Sequence, residues 1–284
     1  MNTSTNASSL SHLRETIKAC VYLVDFLICS VFTILILHTV LRDAALRKEV
    51  RFYFLCHHLV CLTLFFGLGT IFCGIRAFRF NVPVLVCWVI FAVQIVIGRG
   101  VLLTLVLMAL NTCVAVCWPL KHHALVHSVK RKIVACMWTI ALLDPLISVI
   151  YESIKKPLEL LVLLDPTCPS GLTSLASRIS GVIFTLLVLG LILASYILLY
   201  REGKRAGHFN SSNVHARRTI IIHGIQIVFH ILPVIINISI GGKTRYIALD
   251  VTSFIIFSLA QCLSPVVYGL RSSDLRNKLF RRQH

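Results

Sequence analysis

Arg99 is the side chain whose chemistry is hardest to reconcile with its surroundings. It lies within Gln94-Ile95-Val96-Ile97-Gly98-Arg99-Gly100, deep in an apolar run, where an ionised group costs a few kcal/mol or more and needs a partner or a purpose. A guanidinium presents a planar fork of N–H donors that matches a carboxylate or a phosphate. Asp144 and Asp25 in other apolar runs, and Asp250 near the start of the last one, are the acidic groups that bear on it. Gly98 and Gly100 leave room for an internal partner or for a ligand. His230, a single imidazole in another run, suits either hydrogen-bonded packing or a pH-sensitive role.

Enzymatic chemistry has little to work with. The chain contains no G-x-x-x-x-G-K-[ST], H-E-x-x-H or G-x-S-x-G, and only eleven carboxylates, most of them between apolar runs; these absences argue against an enzyme and for no cofactor or bound metal. His122, His123 and His127 have no recognised ligand spacing and read as solvated loop residues.

The elements that must position these groups follow from composition. Hydrophobic residues make up 57% of the 284 and charged residues 14%, with a mean hydropathy of +0.86, whereas soluble domains are roughly 45–50% apolar and about 25% charged. A soluble globule, a disordered chain and a coiled coil are excluded. The net charge of +17 falls in short clusters between long apolar runs, a pattern of membrane topology and not of nucleic-acid binding. At about 20 residues per span, seven spans are expected near 19–41, 52–73, 83–117, 132–151, 175–200, 218–241 and 247–270. The polar residues 1–18 lack a signal-peptide pattern, so the first span is expected to remain as an anchor.

Eighteen Lys and Arg lie in the segments on one side of these spans and nine on the other. The excess puts the richer side in the cytoplasm and the N-terminus outside. The sequons at Asn2 and Asn6 fit that orientation as glycosylation sites. Nine of the eleven cysteines lie in or at the edges of spans, where a thiol acts as a small apolar group. Cys87 opens the third span on the outer side and Cys168 sits in Asp165-Pro166-Thr167-Cys168-Pro169, in an oxidising compartment. A disulfide between them is expected, tying the loop over the mouth of the bundle. Beyond the last span, Leu275, Leu279 and Phe280 share one side of a basic segment, predicting a short amphipathic helix on anionic lipid.

The third span ends in Met108-Ala109-Leu110-Asn111-Thr112-Cys113-Val114-Ala115-Val116-Cys117-Trp118-Pro119-Leu120. That string resembles the M-A-Y-D-R-Y-V-A-I-C-x-P-L signature of odorant receptors among the rhodopsin-like G protein-coupled receptors. Thr112 follows Cys87 by 25 residues, the separation that family keeps between its bridging cysteine and its signalling arginine. Trp138 with Pro145, Pro233 in span six, and Ser264-Pro265-Val266-Val267-Tyr268, which resembles N-P-x-x-Y, fall in the same order. VLRDAALRKE, from Val40 to Glu49, and Ala216 to His223 look most like an orphan branch of such receptors, with the fish odorant-receptor-like group next.

The resemblance implies a single domain over 1–284: an extracellular N-terminus at 1–18, a helix bundle at 19–270, and a cytoplasmic amphipathic helix and tail at 271–284. It implies an all-α, seven-transmembrane receptor in the plasma membrane. Expected partners are a heterotrimeric G protein, a small-molecule ligand, membrane lipids and a receptor homo- or heterodimer, with no nucleic acid. On the family's template Arg99 and Asp144 occupy neighbouring faces, so Arg99 either pairs with Asp144 or stays free for a ligand anion. Gln94 stands where amine receptors of the family carry Asp, which argues against an ammonium ligand. Gln94, Ile95, Gly98, Arg99, Asp144, His230, Asn237 and Asp250 are the expected binding residues, around a largely apolar site. Asn111, Thr112, Cys113, Pro233, Pro265 and Tyr268 match the coupling and switch positions.

The departures are specific. Thr112 replaces the family's arginine, Asn111 its acidic neighbour and Cys113 its tyrosine, so no fixed cation stands there. No Asp lies between Phe52 and Cys73, and position 264 is Ser; allosteric sodium is expected to be absent or feeble. His230-Ile231-Leu232-Pro233 stands where C-W-x-P is usual. A non-signalling decoy or dimerisation partner, and a transporter or proton channel using Asp25, Arg99 and Asp144, remain the alternatives; no internal repeat of the transporter type is evident.

Overall fold

The computed structural model describes residues 2–170, 175–205 and 247–269, together with Leu275 and Lys278. The protein is an all-α membrane protein: among the described residues, five helices are long and apolar enough to cross a bilayer, and a sixth apolar stretch, Ile247–Cys262, is shorter. The expected span at 218–241, with Pro233, His230 and Asn237, lies outside the described residues.

The chain has no glycine before Gly67 and no proline before Pro83, so its first stretch has no breaker. Helix α1 accordingly runs from Asn2 to Arg42, extending well into the segment expected as a polar tail. Asp43 then stops it: the residue adopts extended backbone and its carboxylate accepts from the amides of Ala45 and Leu46, starting α2, Ala44–Lys48. Glu49 separates α2 from α3, Val50–Ala77. Arg79, at φ 54°, turns the chain after α3. Strand β1, Val82–Pro83, leads into α4, Val84–Cys117.

Helix α5 spans Pro119–Lys155, which replaces the loop expected before span four, with His122, His123 and His127 on helical backbone. Pro119 occupies the first helical position, where its missing N–H is no loss, and residues 120–132 contain neither Gly nor Pro. After α5 come α6, Leu158–Val162, and β2, Leu164–Asp165, which pairs antiparallel with β1. Helix α7 covers Leu175–Arg205 and α8 covers Ile247–Gly269.

Helix α4 is the hub, packing on α3, α5, α6 and α7, while α8 packs chiefly on α1. One apolar core, including Ile36, Val40, Leu46, Phe52, Phe54, Leu59, Val106 and Met137, fills the Asp43 end. A second, including Tyr22, Phe66, Phe72, Cys87, Cys168 and Phe254, fills the disulfide end. Small residues allow the close approaches: a Cβ on Gly69 would meet the Tyr22 ring at 2.5 Å. Leu275 is fully buried in the first core, and Lys278 pairs with Asp43 at the head of α2; the rest of the expected amphipathic helix, with Leu279 and Phe280, lies outside the described residues.

Candidate functional site

The geometry around Arg99 is set by three helices. Ile95, Gly98, Arg99 and Leu102 of α4, Asp144 and Pro145 of α5, and Ser177, Gly181, Phe184 and Thr185 of α7 enclose a cavity of about 230 Å³. Ile95, Gly98, Arg99 and Leu102 recur at the three- and four-residue spacing of one helix face. Pro145 has no N–H for the carbonyl one turn earlier, so the ladder of α5 is interrupted beside the cavity.

Arg99 is buried and its Nη2 donates to the Asp144 carboxylate. The opposite constraint comes from Phe184, whose ring centroid lies 4.7 Å from the guanidinium carbon. The pair is unequally enclosed: the side chain of Arg99 is 9% exposed and that of Asp144 36%. The cation is therefore fixed by protein on two sides while the carboxylate still borders open space. Gly98 and Gly100 admit protein rather than ligand. A Cβ on Gly98 would come within 3.1 Å of Phe65, and one on Gly100 within 3.2 Å of Trp138. The two glycines thus let α3 and α5 close on α4.

The other residues expected at a ligand site are dispersed. Gln94 is buried and its Nε2 donates to the Tyr22 hydroxyl at 3.3 Å, turning it toward α1. Asp250 lies at the head of α8, where Lys18 Nζ donates to it at 2.7 Å while lying 5.5 Å from the Phe254 ring. Asp25 is buried between α1 and α8; the Cys262 thiol donates to its Oδ1 at 3.0 Å, and the Cys29 sulfur lies 3.5 Å from that of Cys262. Its Oδ2 has no hydrogen-bond partner among the described residues. Two thiols expected to act as small apolar groups thus gather around a carboxylate. Among the described residues, no group of three or more His, Cys, Asp or Glu could hold a metal ion.

Cys87 and Cys168 are joined by a disulfide across 81 positions. The loop side is prepared locally. Asp165 Oδ1 accepts from both the amide and the hydroxyl of Thr167 at 2.7 Å, and the Cys168 amide donates to the Asp165 carbonyl at 3.3 Å. Pro166 at the second position of this turn favours that geometry, and Cys168 takes φ 44°.

At the far end of α4, Thr112 is exposed and its hydroxyl donates to the Met108 carbonyl of its own helix at 2.9 Å. Cys113 is buried with its sulfur 3.7 Å from that of Cys117, and Asn111 is half-buried. Pro265 lies in α8, as does Tyr268. Asn2 and Asn6 lie on the first turns of α1.

Several groups that matter were not singled out by sequence. Phe184 is one aromatic among aliphatics in a span, with no periodic signal to distinguish it. Tyr22 contacts Phe65, Phe66 and Phe254, an aromatic centre that no spacing reveals. His58 is fully buried with Nδ1 2.9 Å from Thr104 Oγ1. Because the Thr104 hydroxyl donates to the Val101 carbonyl at 2.8 Å, the imidazole Nδ1 must carry the hydrogen. Its signal was available: a polar ring inside an apolar span requires a partner.

Odorant receptor 131-2 of Danio rerio is 25% identical to this chain over 217 residues, a match covering 70% of the chain and 65% of that receptor's length. No protein-family model matches. Together with the apolar helices, this similarity supports an odorant-receptor-like protein that crosses the membrane several times.

Proposed function

We propose that this chain is an odorant-receptor-like G protein-coupled receptor of an orphan branch, which binds a small apolar or anionic molecule beside Arg99 and signals to a heterotrimeric G protein. The observation that carries the ligand reading is the cavity among α4, α5 and α7 with a buried guanidinium in its wall. Its volume of about 230 Å³ is below the roughly 300–1,000 Å³ of sites for drug-sized molecules, which favours a compact ligand. An incoming carboxylate competes with Asp144 for the guanidinium donors, and the partly open side of Asp144 is where it can enter. Ligand binding therefore exchanges one ion pair for another, and releases α5 from α4 at that point.

The proposed receptor has seven spans in the plasma membrane, an extracellular N-terminus glycosylated at Asn2 and Asn6, and His230, Asn237 and Asp250 among its further binding residues. Asn111, Thr112 and Cys113, with Pro233, Pro265 and Tyr268, form the output side. Thr112 has a short hydroxyl tied to its own helix, which favours one second reading, a decoy or dimerisation partner that does not signal.

Agonist-independent nucleotide exchange on a panel of G proteins, using surface-verified wild type beside Thr112→Arg, separates the two. Exchange by the wild type is expected if the receptor signals without the arginine. Silence in the wild type with exchange gained by Thr112→Arg refutes signalling and favours the decoy. A screen of compact apolar acids against wild type and Arg99→Met then tests the cavity: binding unchanged by that substitution would remove Arg99 from the ligand site.

A further inference from the structure

The segment that follows α5 is unusually apolar for a loop. Leu158, Leu160, Val162, Leu163 and Leu164 are each between 49% and 73% exposed, and of the α6 leucines Leu161 alone is buried. It packs with Val84 and Trp88 at the start of α4, and the Val84 amide donates to the Leu163 carbonyl at 3.1 Å. The far end is fixed by the β1–β2 pairing and the Cys87–Cys168 disulfide. The segment is thus held against the rim of the bundle with its apolar side chains facing outward. In water such a patch would be an association hazard.

Two observations indicate what covers it. First, the segment follows directly on α5, whose Ile147, Ile150, Tyr151 and Ile154 recur at three- and four-residue spacing and are between 50% and 79% exposed. In a membrane-spanning helix that face meets acyl chains. Second, the depth is marked by basic and aromatic residues. Lys155 Nζ lies 4.0 Å from the Tyr151 ring centroid and Lys156 Nζ lies 4.6 Å from that of Trp88, the pairing expected where rings sit at the interface and ammonium groups reach the headgroups. Leu158 follows within two residues, and Leu161 rests on Trp88 itself.

We propose that residues 158–164 lie in the interfacial zone of the leaflet at the disulfide end of the bundle, with Leu158, Val162 and Leu164 among the acyl chains. The lipid surface thereby holds the loop that carries Cys168, in addition to its covalent tie.

The test places a single added tryptophan at position 158, 162 or 164 of the full chain, reconstituted in nanodiscs, with the wild type and its three native tryptophans subtracted. All three positions are exposed, so folding should tolerate the change, and the Cys87–Cys168 bond mapped by mass spectrometry verifies it. Leu158→Trp and Val162→Trp are expected to lose most of their added emission in phosphatidylcholine brominated near the head of its acyl chains, and little to aqueous acrylamide. Quenching by acrylamide with none by brominated lipid overturns the proposal by placing the loop in water. Protection from both also overturns it, since a second copy or another protein surface then covers the patch. Positions that give no folded protein are replaced by Leu164→Trp, read against the same outcomes.

Discussion

Removing Asp144 leaves a buried guanidinium with only an aromatic neighbour. Breaking an enclosed ion pair by deleting one partner costs about 3–5 kcal/mol. Because the Asp144 side chain is 36% exposed, Asp144→Ala should sit at the lower end, about 3 kcal/mol. At roughly 2–4 °C per kcal/mol for a chain of this size, the melting temperature should fall by about 6–12 °C. Arg99→Met removes the charge and also the stacking on Phe184, which lies 4.7 Å away and contributes about 1 kcal/mol. It leaves Asp144 able to reach open space, so its cost should be smaller, about 2 kcal/mol. The double change Arg99→Met with Asp144→Ala removes both charges together. Its loss should fall short of the sum of the single losses by about 2 kcal/mol, an interaction well above the roughly 0.5 kcal/mol scatter of independent sites. Thermal unfolding of the protein purified in one detergent or nanodisc, followed through a thiol-reactive dye or tryptophan emission, supplies the four melting temperatures. Additive losses would refute the pairing and favour an Arg99 that holds something other than Asp144.

Cys87→Ala or Cys168→Ala should each greatly reduce surface delivery, because opening a loop of 81 positions forfeits up to about 4.5 kcal/mol of chain-entropy restriction; cell-surface labelling checks this, and normal trafficking of both variants would count against a structural role. The Asp43 carboxyl is held below the usual carboxylate range, chiefly by the Lys278 ammonium and then by the amides of Leu46 and Ala45. A lowered carboxylate stabilises above its unfolded pKa of about 3.9 and loses that contribution as pH falls through the folded value. The Lys278–Asp43 contact, read by hydrogen exchange at the capped amides of Ala45 and Leu46, should therefore be flat from neutral pH down to about 5 and weaken only in stronger acid, while Asp43→Asn should abolish the acid transition. Gly69→Ala drives a methyl into the Tyr22 ring, 2.5 Å away, and should cost about 1–3 kcal/mol. Gly74→Ala meets nothing within 4 Å and should gain about 0.5–1 kcal/mol of helix stability; equal melting shifts for the two would contradict the packing.

How much was legible before folding depends on whether a property resides in the local chain. Hydropathy is local, so the membrane class and the five spans on α1, α3, α4, α5 and α7 could be read directly, with boundaries displaced where helix-forming residues carry a span past its apolar limit, as at residues 2–18 and 119–131. Capping is local too, but the Asp43 cap and the Asp165-Pro166-Thr167 turn came only from the structure, although each lies in a short string that specifies its own backbone. The cysteine pairing was legible because nine thiols had an apolar explanation and two did not. Arg99 announced itself because a charge inside a span is costly wherever it occurs.

Partner choice is not local, and only tertiary structure decided it. Gln94 and Arg99 lie five positions apart on α4, yet one donates to Tyr22 of α1 and the other to Asp144 of α5, because helical rotation over five residues turns them to different neighbours. Asp250 has Lys18 and Asp25 has Cys262, contacts spanning 232 and 237 positions, which no window of sequence contains. The glycines beside Arg99 illustrate the same division. Their small size was visible from the start, but what that space admits, the rings of Phe65 and Trp138, depended on how closely α3 and α5 could approach α4.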